Sequence, residues 1–311
     1  MAPINQSKVS EFILMGITRD PTLQHYLSIL FLLIYLITVF GNSTIIFIIV
    51  IINGLHTPMY FLLGNLSFSD LCYSTVVMPK TLYALFSKHL EIFISYTGCV
   101  LQLYFFAVFA STECYILSAM AYDRYVAICH PLLYALIMNK RRCIFVMLIV
   151  YIGGLCTGGV HTSATFVLNF CGPNIINHFY CDIPPLMELS CSDTYTSKTV
   201  IFGVVSCLGL LSVMVILLSY FYIFFTIMNI RTSEGKHKAF STCTSHLLCV
   251  ALFYGTVFFM YLRPANNYSV NQNKVVSVFY TMVIPMMNPI IYSLRNKEVI
   301  DTVIYYLKKL L

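Results

Sequence analysis

The sequence predicts an all-α membrane protein, a bundle of seven transmembrane helices followed by a short amphipathic C-terminal helix. Of its 311 residues, 59% are apolar and only 10% are charged, a balance outside the usual range of soluble domains. The apolar residues gather into seven stretches close to or above the roughly 20 residues that cross a bilayer as a helix. These stretches are Tyr26–Ile52, Met59–Phe86, Thr97–Tyr122, Ile144–His161, Val200–Ile230, Ala239–Leu262 and Val275–Leu294. The loops between them are mostly short, so we expect no separate globular domain and no enzyme carried on one.

Two more polar segments flank the seven stretches. We divide the chain into an extracellular N-terminus (1–25), a seven-transmembrane domain (26–294) and a cytoplasmic C-terminal segment (295–311). The first segment lacks the basic start and small-residue cleavage site of a signal peptide, so we expect the first helix to direct insertion. In the last segment the apolar residues fall on one stripe. This pattern predicts an amphipathic helix on the inner leaflet, in contact with membrane lipid.

The distribution of basic residues predicts the orientation. With the N-terminus outside, eleven of the 18 lysines and arginines lie on the cytoplasmic side, as positively charged loops tend to do. The net charge of +6 therefore reports topology and attraction to anionic lipid, and we expect no nucleic-acid partner. We predict a multi-pass protein of the plasma membrane. Its outer N-terminus carries the glycosylation pattern Asn5-Gln-Ser7, so we expect a glycan on Asn5.

The cysteines divide by compartment. Of the twelve, eight lie within the spans or near the inner face, where cysteine is a small apolar packing residue. The other four fall outside, in an oxidising space: Cys99, Cys171, Cys181 and Cys191. Four cysteines allow three pairings, among which the sequence does not choose. A link from Cys99, at the outer end of the third helix, into the second outer loop would fasten that loop over the mouth of the bundle.

Two buried acids predict a polar site inside the membrane. Asp70 lies midway along the second span and Glu113 deep in the third, where an ionisable group costs at least about 2.5 to 3.5 kcal/mol. Facing carboxylates either share a proton or hold a cation, and a sodium ion is the sharper hypothesis. The alternative is that one acid is protonated and hydrogen-bonded to Ser67, Asn42 or Asn288. Apart from this possible ion, we expect no cofactor.

A second motif, Asp123-Arg124-Tyr125, ends the third span at the inner face. An acid beside an arginine can form an ion pair that must open before the arginine reaches a cytoplasmic partner, which is the logic of a switch.

The motifs, taken in chain order, resemble those of rhodopsin-like G-protein-coupled receptors. They are Gly41-Asn42, Asp70, Cys99, Asp123-Arg124-Tyr125, Tyr220, Asn288-Pro289 and Tyr292. More specific stretches resemble those of olfactory receptors from about residue 12 to about residue 300. They are LHTPMY (55–60), MAYDRYVAIC (120–129) with His130-Pro131, KAFSTC (238–243) with Ser245-His246-Leu247, and PMMNP (285–289).

The resemblance implies roles for several residues. It implies a disulfide from Cys99 to Cys181, with Cys171 and Cys191 as the remaining outer cysteines. The chain has no Trp, and the sixth span reads Leu252-Phe-Tyr-Gly-Thr256, so the toggle role is assigned to Tyr254. Movement there is expected to reach Arg124 through Tyr292 and Tyr220. The expected partner is the stimulatory olfactory G protein, which activates adenylyl cyclase, with Leu132 inserting into it.

We predict a ligand pocket between the helices, lined by apolar residues and a few hydroxyls. Steps of three and four place one face of the third span inward, and residues of spans five to seven are expected to face it. The predicted lining is Phe106, Ala107, Ala110, Ser111, Val204, Val205, Leu208, Tyr254, Val257, Phe258, Tyr261, Val278 and Thr281. Such a lining suits a small, uncharged volatile odorant with one oxygen.

Other classes of membrane protein fit less well. A secondary transporter usually shows two matched halves, and a channel needs a ring of polar residues; the sequence has neither pattern. Asp70 and Glu113 alone are too few for an intramembrane enzyme. The remaining alternative is a rhodopsin-like receptor for a non-volatile metabolite or a lipid, expressed outside the olfactory epithelium.

Overall fold

A computed structural model describes residues 9–87, 91–171, 173–261 and 270–294, and seven long helical segments form its bundle. Six of them are long and apolar enough to cross a membrane, and the segment between the fifth and the last of these contains a shorter apolar stretch, Cys243–Val257. The helices are α1 Pro21–Ile51, α2 Pro58–Phe86, α3 Tyr96–Cys129, α4 Tyr134–Ile137, α5 Lys140–Phe166, α6 Ile183–Glu188, α7 Tyr195–Asn229, α8 Ser233–Tyr261, α9 Val270–Val278 and α10 Ile284–Leu294. The predicted seven-helix fold is confirmed. Asn5 and the predicted C-terminal helix lie outside the described residues.

Local sequence sets where the helices begin. Proline is the first residue of α1 and of α2, a position where its missing N–H is not needed. Side chains cap three of the long helices: Asp20 accepts from the Thr22 amide of α1 at 2.9 Å, and Ser95 accepts from the Gly98 amide of α3 at 3.1 Å. Asn139 accepts from the Arg142 amide of α5 at 3.0 Å. Each cap satisfies an amide that the helix itself leaves unpaired.

The helix α3 runs through the middle of the bundle, where it contacts α2, α5, α7 and α8. Its closest neighbour is α5, because two glycines one turn apart, Gly154 and Gly158, face α3 directly. Small residues at this spacing let two membrane helices approach until their backbones nearly touch. This contact fixes the height and the orientation of the outer half of α5.

The last transmembrane segment is interrupted. Between α9 and α10 the residues Phe279–Val283 form a turn of π-helix, which accommodates one extra residue and turns the following helical face. Pro289 lies inside α10, and its ring packs against Gly41 of α1.

A three-stranded sheet, which the sequence does not predict, covers the outer end of the bundle. Strand β1 (Glu11–Leu14) lies between β2 (Ile92–Ser95) and β3 (Ile175–Ile176), antiparallel to the first and parallel to the second. Phe12 and Leu14 of β1 are buried among apolar residues of both outer loops. Part of the N-terminal segment is therefore packed against the domain.

Candidate functional site

A cavity of about 160 Å³ lies beneath the second outer loop, between α3, α5, α7 and α8. Its lining is mostly apolar, with a few polar groups at the top and the bottom. The lining residues are Tyr73, Phe106, Ala110, Ser111, Cys114, Tyr115, Thr157, His161, Asp182, Pro184, Val204, Val205, Leu208, Gly209, Phe253, Tyr254, Val257 and Tyr280. The position between helices and the apolar lining are those of a small-molecule site.

Eight predicted pocket residues lie in this lining. They are Phe106, Ala110, Ser111, Val204, Val205, Leu208, Tyr254 and Val257. Three others do not: Ala107 is buried within the bundle, Val278 packs in an apolar cluster, and Thr281 donates to the backbone oxygen of Ser277. The side chains of Phe258 and Tyr261 are outside the described part of the chain.

A π turn separates the predicted lining from the observed one on the last transmembrane segment. The prediction places Val278 and Thr281 on the inner face of a continuous α-helix. Because Phe279–Val283 follows the wider π geometry, Tyr280 lines the cavity instead, and Thr281 is fully buried against its own helix.

One wall of the cavity was not predicted. The predicted lining contains no residue of the fourth span, yet Thr157 and His161 of α5 both line the cavity. A signal was present, since a histidine in an otherwise apolar span is a functional-site candidate by default.

The part of the second outer loop that covers the cavity is held in place by disulfides and hydrogen bonds. A disulfide joins Cys99 at the start of α3 to Cys181 of the second outer loop, and a second one joins Cys171 to Cys191. The amide of Cys181 also donates to Gln102 Oε1 at 2.9 Å. The loop residue that follows Cys181 is thereby held above the cavity.

That residue, Asp182, is a buried carboxyl whose oxygens are both engaged. One oxygen accepts from the Ile183 amide at 2.8 Å, and the other accepts from the hydroxyls of Tyr180 at 2.9 Å and Tyr280 at 3.4 Å. Burial raises the pKa of the Asp182 carboxyl, while these hydrogen bonds act in the opposite direction. In the same loop, burial and then the charge of Lys274 lower the pKa of His178 to about 3, so its ring is neutral at physiological pH.

Tyr254 lies at the floor of the cavity. Its hydroxyl forms hydrogen bonds with Ser212 of α7 and, at 3.0 Å, with the Cys114 sulfur of α3. The residue assigned the toggle role therefore joins three helices directly below the ligand space.

The two membrane acids lie together deeper in the bundle. The Asn288 amide donates to both oxygens of Asp70 at 3.1 Å and to Glu113 Oε1 at 3.2 Å. Of the three hydrogen-bond partners considered, the structure pairs the acids with Asn288, while the Asn42 amide donates to the backbone oxygens of Thr38 and Pro285.

At the inner face, Asp123 and Arg124 do not form an ion pair with each other. The Asp123 carboxyl accepts from the Tyr134 hydroxyl of α4 at 2.8 Å, whereas the Arg124 guanidinium contacts the Met59 sulfur of α2. The side chains of Asp123 and Arg124 point toward different elements because adjacent residues on a helix are about 100° apart. The link that holds the aspartate is thus to the second inner loop.

Other predicted switch residues lie above and beside this point. The Tyr220 hydroxyl of α7 pairs with His246 Nδ1 of α8 at 2.7 Å, and His246 Nε2 pairs with the Leu117 backbone oxygen of α3 at 3.0 Å. Tyr292 is buried in the core cluster that also contains Tyr254. Leu132, in the short turn after α3, has 97% of its side chain exposed.

A seven-helix bundle with an apolar cavity between its helices and this inner-face motif is the arrangement of the rhodopsin-like class of receptors. The fold is similar to the crystal structure of squid rhodopsin, with a TM-score of 0.71 at 17% identity, covering 91% of this chain and 80% of that chain.

The sequence comparisons define the family within that class. The family model described as olfactory receptor matches residues 31–309. Olfactory receptor 5AR1 of Mus musculus is 53% identical over 295 residues, covering 95% of this chain and 94% of that protein. Olfactory receptor 5AR1 of Homo sapiens is 50% identical over 295 residues, with 95% and 94% covered. The chain belongs to the olfactory receptor family: it is a multi-pass G-protein-coupled odorant receptor and not an enzyme.

Proposed function

We propose that the receptor binds a small, uncharged, mostly apolar volatile molecule in the cavity between α3, α5, α7 and α8. The size of the cavity carries this proposal. At about 160 Å³ it is close to the roughly 150 Å³ of an engineered apolar cavity that takes up benzene. The only carboxyl in the described lining, Asp182, already accepts three hydrogen bonds, so it offers little to a cationic ligand.

Ligand binding acts on the bundle through Tyr254. A ligand shifts the receptor toward an active state only by its higher affinity for that state. A molecule resting on Tyr254 changes the contacts that tie α8 to Ser212 and Cys114, and α8 is also held by His246 to α3 and α7. Release of these contacts would free the inner end of α8 and open a cytoplasmic cavity for the G protein.

We further propose the orientation and the partner. The N-terminus is extracellular, which places both disulfides in an oxidising compartment and most basic residues on the cytoplasmic side. The partner is the stimulatory olfactory G protein, so that activation raises cyclic AMP. Leu132 supports a docking role, because it is 97% exposed in the turn after α3, on the face that we propose meets the G protein.

The test is cyclic-AMP production in cells that co-express this chain and the stimulatory olfactory G protein, with volatile alcohols, aldehydes, ketones and esters as candidates. We expect a dose-dependent response that Leu132→Ala reduces about tenfold or more at equal surface expression, as loss of an interface anchor does. The matched control is Val167→Ala, which removes a 73% exposed side chain from the opposite end of the bundle. A response only to a non-volatile metabolite or lipid, or only through another G protein, would contradict the proposal.

We also propose that Asp70 and Glu113 hold a sodium ion. Two carboxylates at one amide donor cannot both be ionised without a compensating charge. Glu113 Oε2 is buried and has no hydrogen-bond partner among the described residues, so it is an oxygen ligand still free to bind a cation. The competing hypothesis is a shared proton, with Asn288 donating to both acids.

Salt exchange separates the two hypotheses. A site with a bound ion stabilises the fold by about 1.4 kcal/mol at ten times its dissociation constant. We therefore expect the melting temperature of the purified receptor to rise in sodium chloride relative to choline chloride at equal ionic strength. Asp70→Asn should abolish that difference. Equal melting temperatures of the wild type in the two salts would support the shared proton.

A further inference from the structure

His161 is the one histidine in the described cavity lining, and its ring has no hydrogen bond there. It lies on α5 one turn beyond Gly158, at the point where α5 is pressed against α3. Only 7% of the residue is exposed, and Nε2 is fully buried without a partner. The close helix contact thus places an imidazole at the cavity wall whose Nε2 is unpaired and buried, so that a ligand pairs with Nε2 only when the ring turns toward the cavity.

Most other polar groups at the cavity are already paired. Thr157, one turn earlier on α5, pairs with the Tyr115 hydroxyl at 3.0 Å and donates to the Gly153 oxygen at 2.8 Å. Tyr254 pairs with Ser212 and Cys114, and Asp182 accepts three hydrogen bonds. A buried polar group left without a partner costs about 1 to 3 kcal/mol. A ligand that pairs with His161 recovers part of that cost, whereas one that approaches Thr157 must compete with existing bonds.

We propose that His161 is the residue that selects the functional group of the odorant, by hydrogen-bonding a hydroxyl or carbonyl oxygen of a neutral ligand. The proposal rests on the odorant function proposed above and names its ligand class. A neutral imidazole has one nitrogen that donates and one that accepts, so it can pair with an alcohol as well as with an aldehyde or ketone. A pure hydrocarbon leaves the ring unsatisfied.

Charged odorants fit this wall poorly. No lysine or arginine is found in the described lining, so a carboxylate would enter an apolar space without a counter-ion. An ammonium near Asp182 would compete with the three hydrogen bonds that this carboxyl already accepts. Neutral oxygenated compounds are therefore the class that the cavity favours.

The test compares matched ligands on matched variants. An active alcohol or ketone and the hydrocarbon with the same carbon skeleton are measured as agonists or as competitors, with cyclic AMP as the readout. His161→Leu keeps a side chain of moderate size but removes both ring nitrogens. His161→Gln keeps a hydrogen-bond donor and an acceptor. The control is Thr162→Val, because Thr162 is the next residue of α5, also has an unpaired buried side-chain oxygen, and is not among the described lining residues.

We expect His161→Leu to weaken the oxygenated ligand about 5- to 10-fold, as loss of one neutral hydrogen bond does, and to leave the hydrocarbon unchanged. His161→Gln should retain much of the preference, and Thr162→Val should retain all of it. An equal loss for both ligands, or a loss of preference in Thr162→Val alone, would overturn the role of His161. A wild type that is silent to every neutral volatile would overturn the proposed function itself, whereas a responsive wild type indifferent to His161→Leu would overturn only this assignment.

Discussion

Replacing Gly158 with alanine is expected to prevent most of the receptor from reaching the cell surface. A Cβ at this position would lie 2.5 Å from a Val108 methyl and 3.1 Å from both the Tyr104 oxygen and the Val108 nitrogen. Two of these atoms belong to the α3 backbone, which cannot rotate away as a side chain can. The helices α3 and α5 must therefore separate. Overpacking of this kind costs about 1 to 3 kcal/mol, a large part of the stability of a typical domain.

The matched control is the next residue along the chain. A Cβ at Gly159 meets no atom within 4 Å, so Gly159→Ala should be neutral or should stabilise the helix by up to about 1 kcal/mol. Surface labelling and the melting temperature in detergent measure both variants. Equal surface expression and equal melting temperatures for the two would show that the α3–α5 contact does not limit stability.

The same variant has a consequence for the ligand site. His161 lies three residues after Gly158 and follows any outward shift of α5. Receptor molecules of Gly158→Ala that do reach the surface should therefore respond less well to oxygenated odorants than wild type does. Stability and selectivity are linked here because one close helix contact serves both.

The seven-helix fold could be predicted from the sequence because a membrane helix is recognisable from its amino-acid composition. Roughly 20 apolar residues in a row identify a span without knowledge of its neighbours. The helix ends were less accurate: α5 runs from Lys140 to Phe166, well beyond the predicted Ile144–His161. Its first turn carries the basic residues Lys140 to Arg142 and starts at the Asn139 cap, which hydropathy alone does not register.

The outer sheet could not be predicted in this way. Strand β1 has four residues, and its partners lie about 80 and 160 positions away in the chain, so its pairing is decided by tertiary contacts. Alternation of exposed and buried residues is present in Glu11–Leu14, but four residues are too few to distinguish a strand from a coil.

The predicted lining coincides with the cavity where helices are regular and departs from it where they are not. The α3 face with Phe106, Ala110 and Ser111 follows from α-helical spacing, and the structure places all three at the cavity. Tyr280 is not among the predicted lining residues because the sequence does not show where a π turn forms. Asp182 was missed because the position of a loop residue depends on the Cys99–Cys181 bond rather than on local periodicity.

Removal of that disulfide is the second prediction with a large expected effect. The double variant Cys99→Ser/Cys181→Ser should lose roughly 2 to 5 kcal/mol of folding free energy and most of its surface expression. Both cysteines are fully buried in the apolar cluster that supports the outer sheet, together with Phe12 and Leu14. The serine hydroxyls would remain in that cluster, where polar groups are costly.

The second disulfide is the natural control, because it lies in the same loop. Cys171 and Cys191 are 20 residues apart against 82 for the first pair, and Cys191 is exposed. Chain entropy alone makes the longer loop more stabilising by only about 1 kcal/mol. Melting temperatures measure the stability of the two double variants. If their unfolding free energies differ by much more than this, the excess comes from the buried cluster and from the loss of Asp182 above the cavity. If the difference in unfolding free energy stays near 1 kcal/mol, the Cys99–Cys181 bond acts as a simple cross-link. The loop above the ligand site is then held by the hydrogen bonds of Cys181 to Gln102 and of Asp182 to Tyr280.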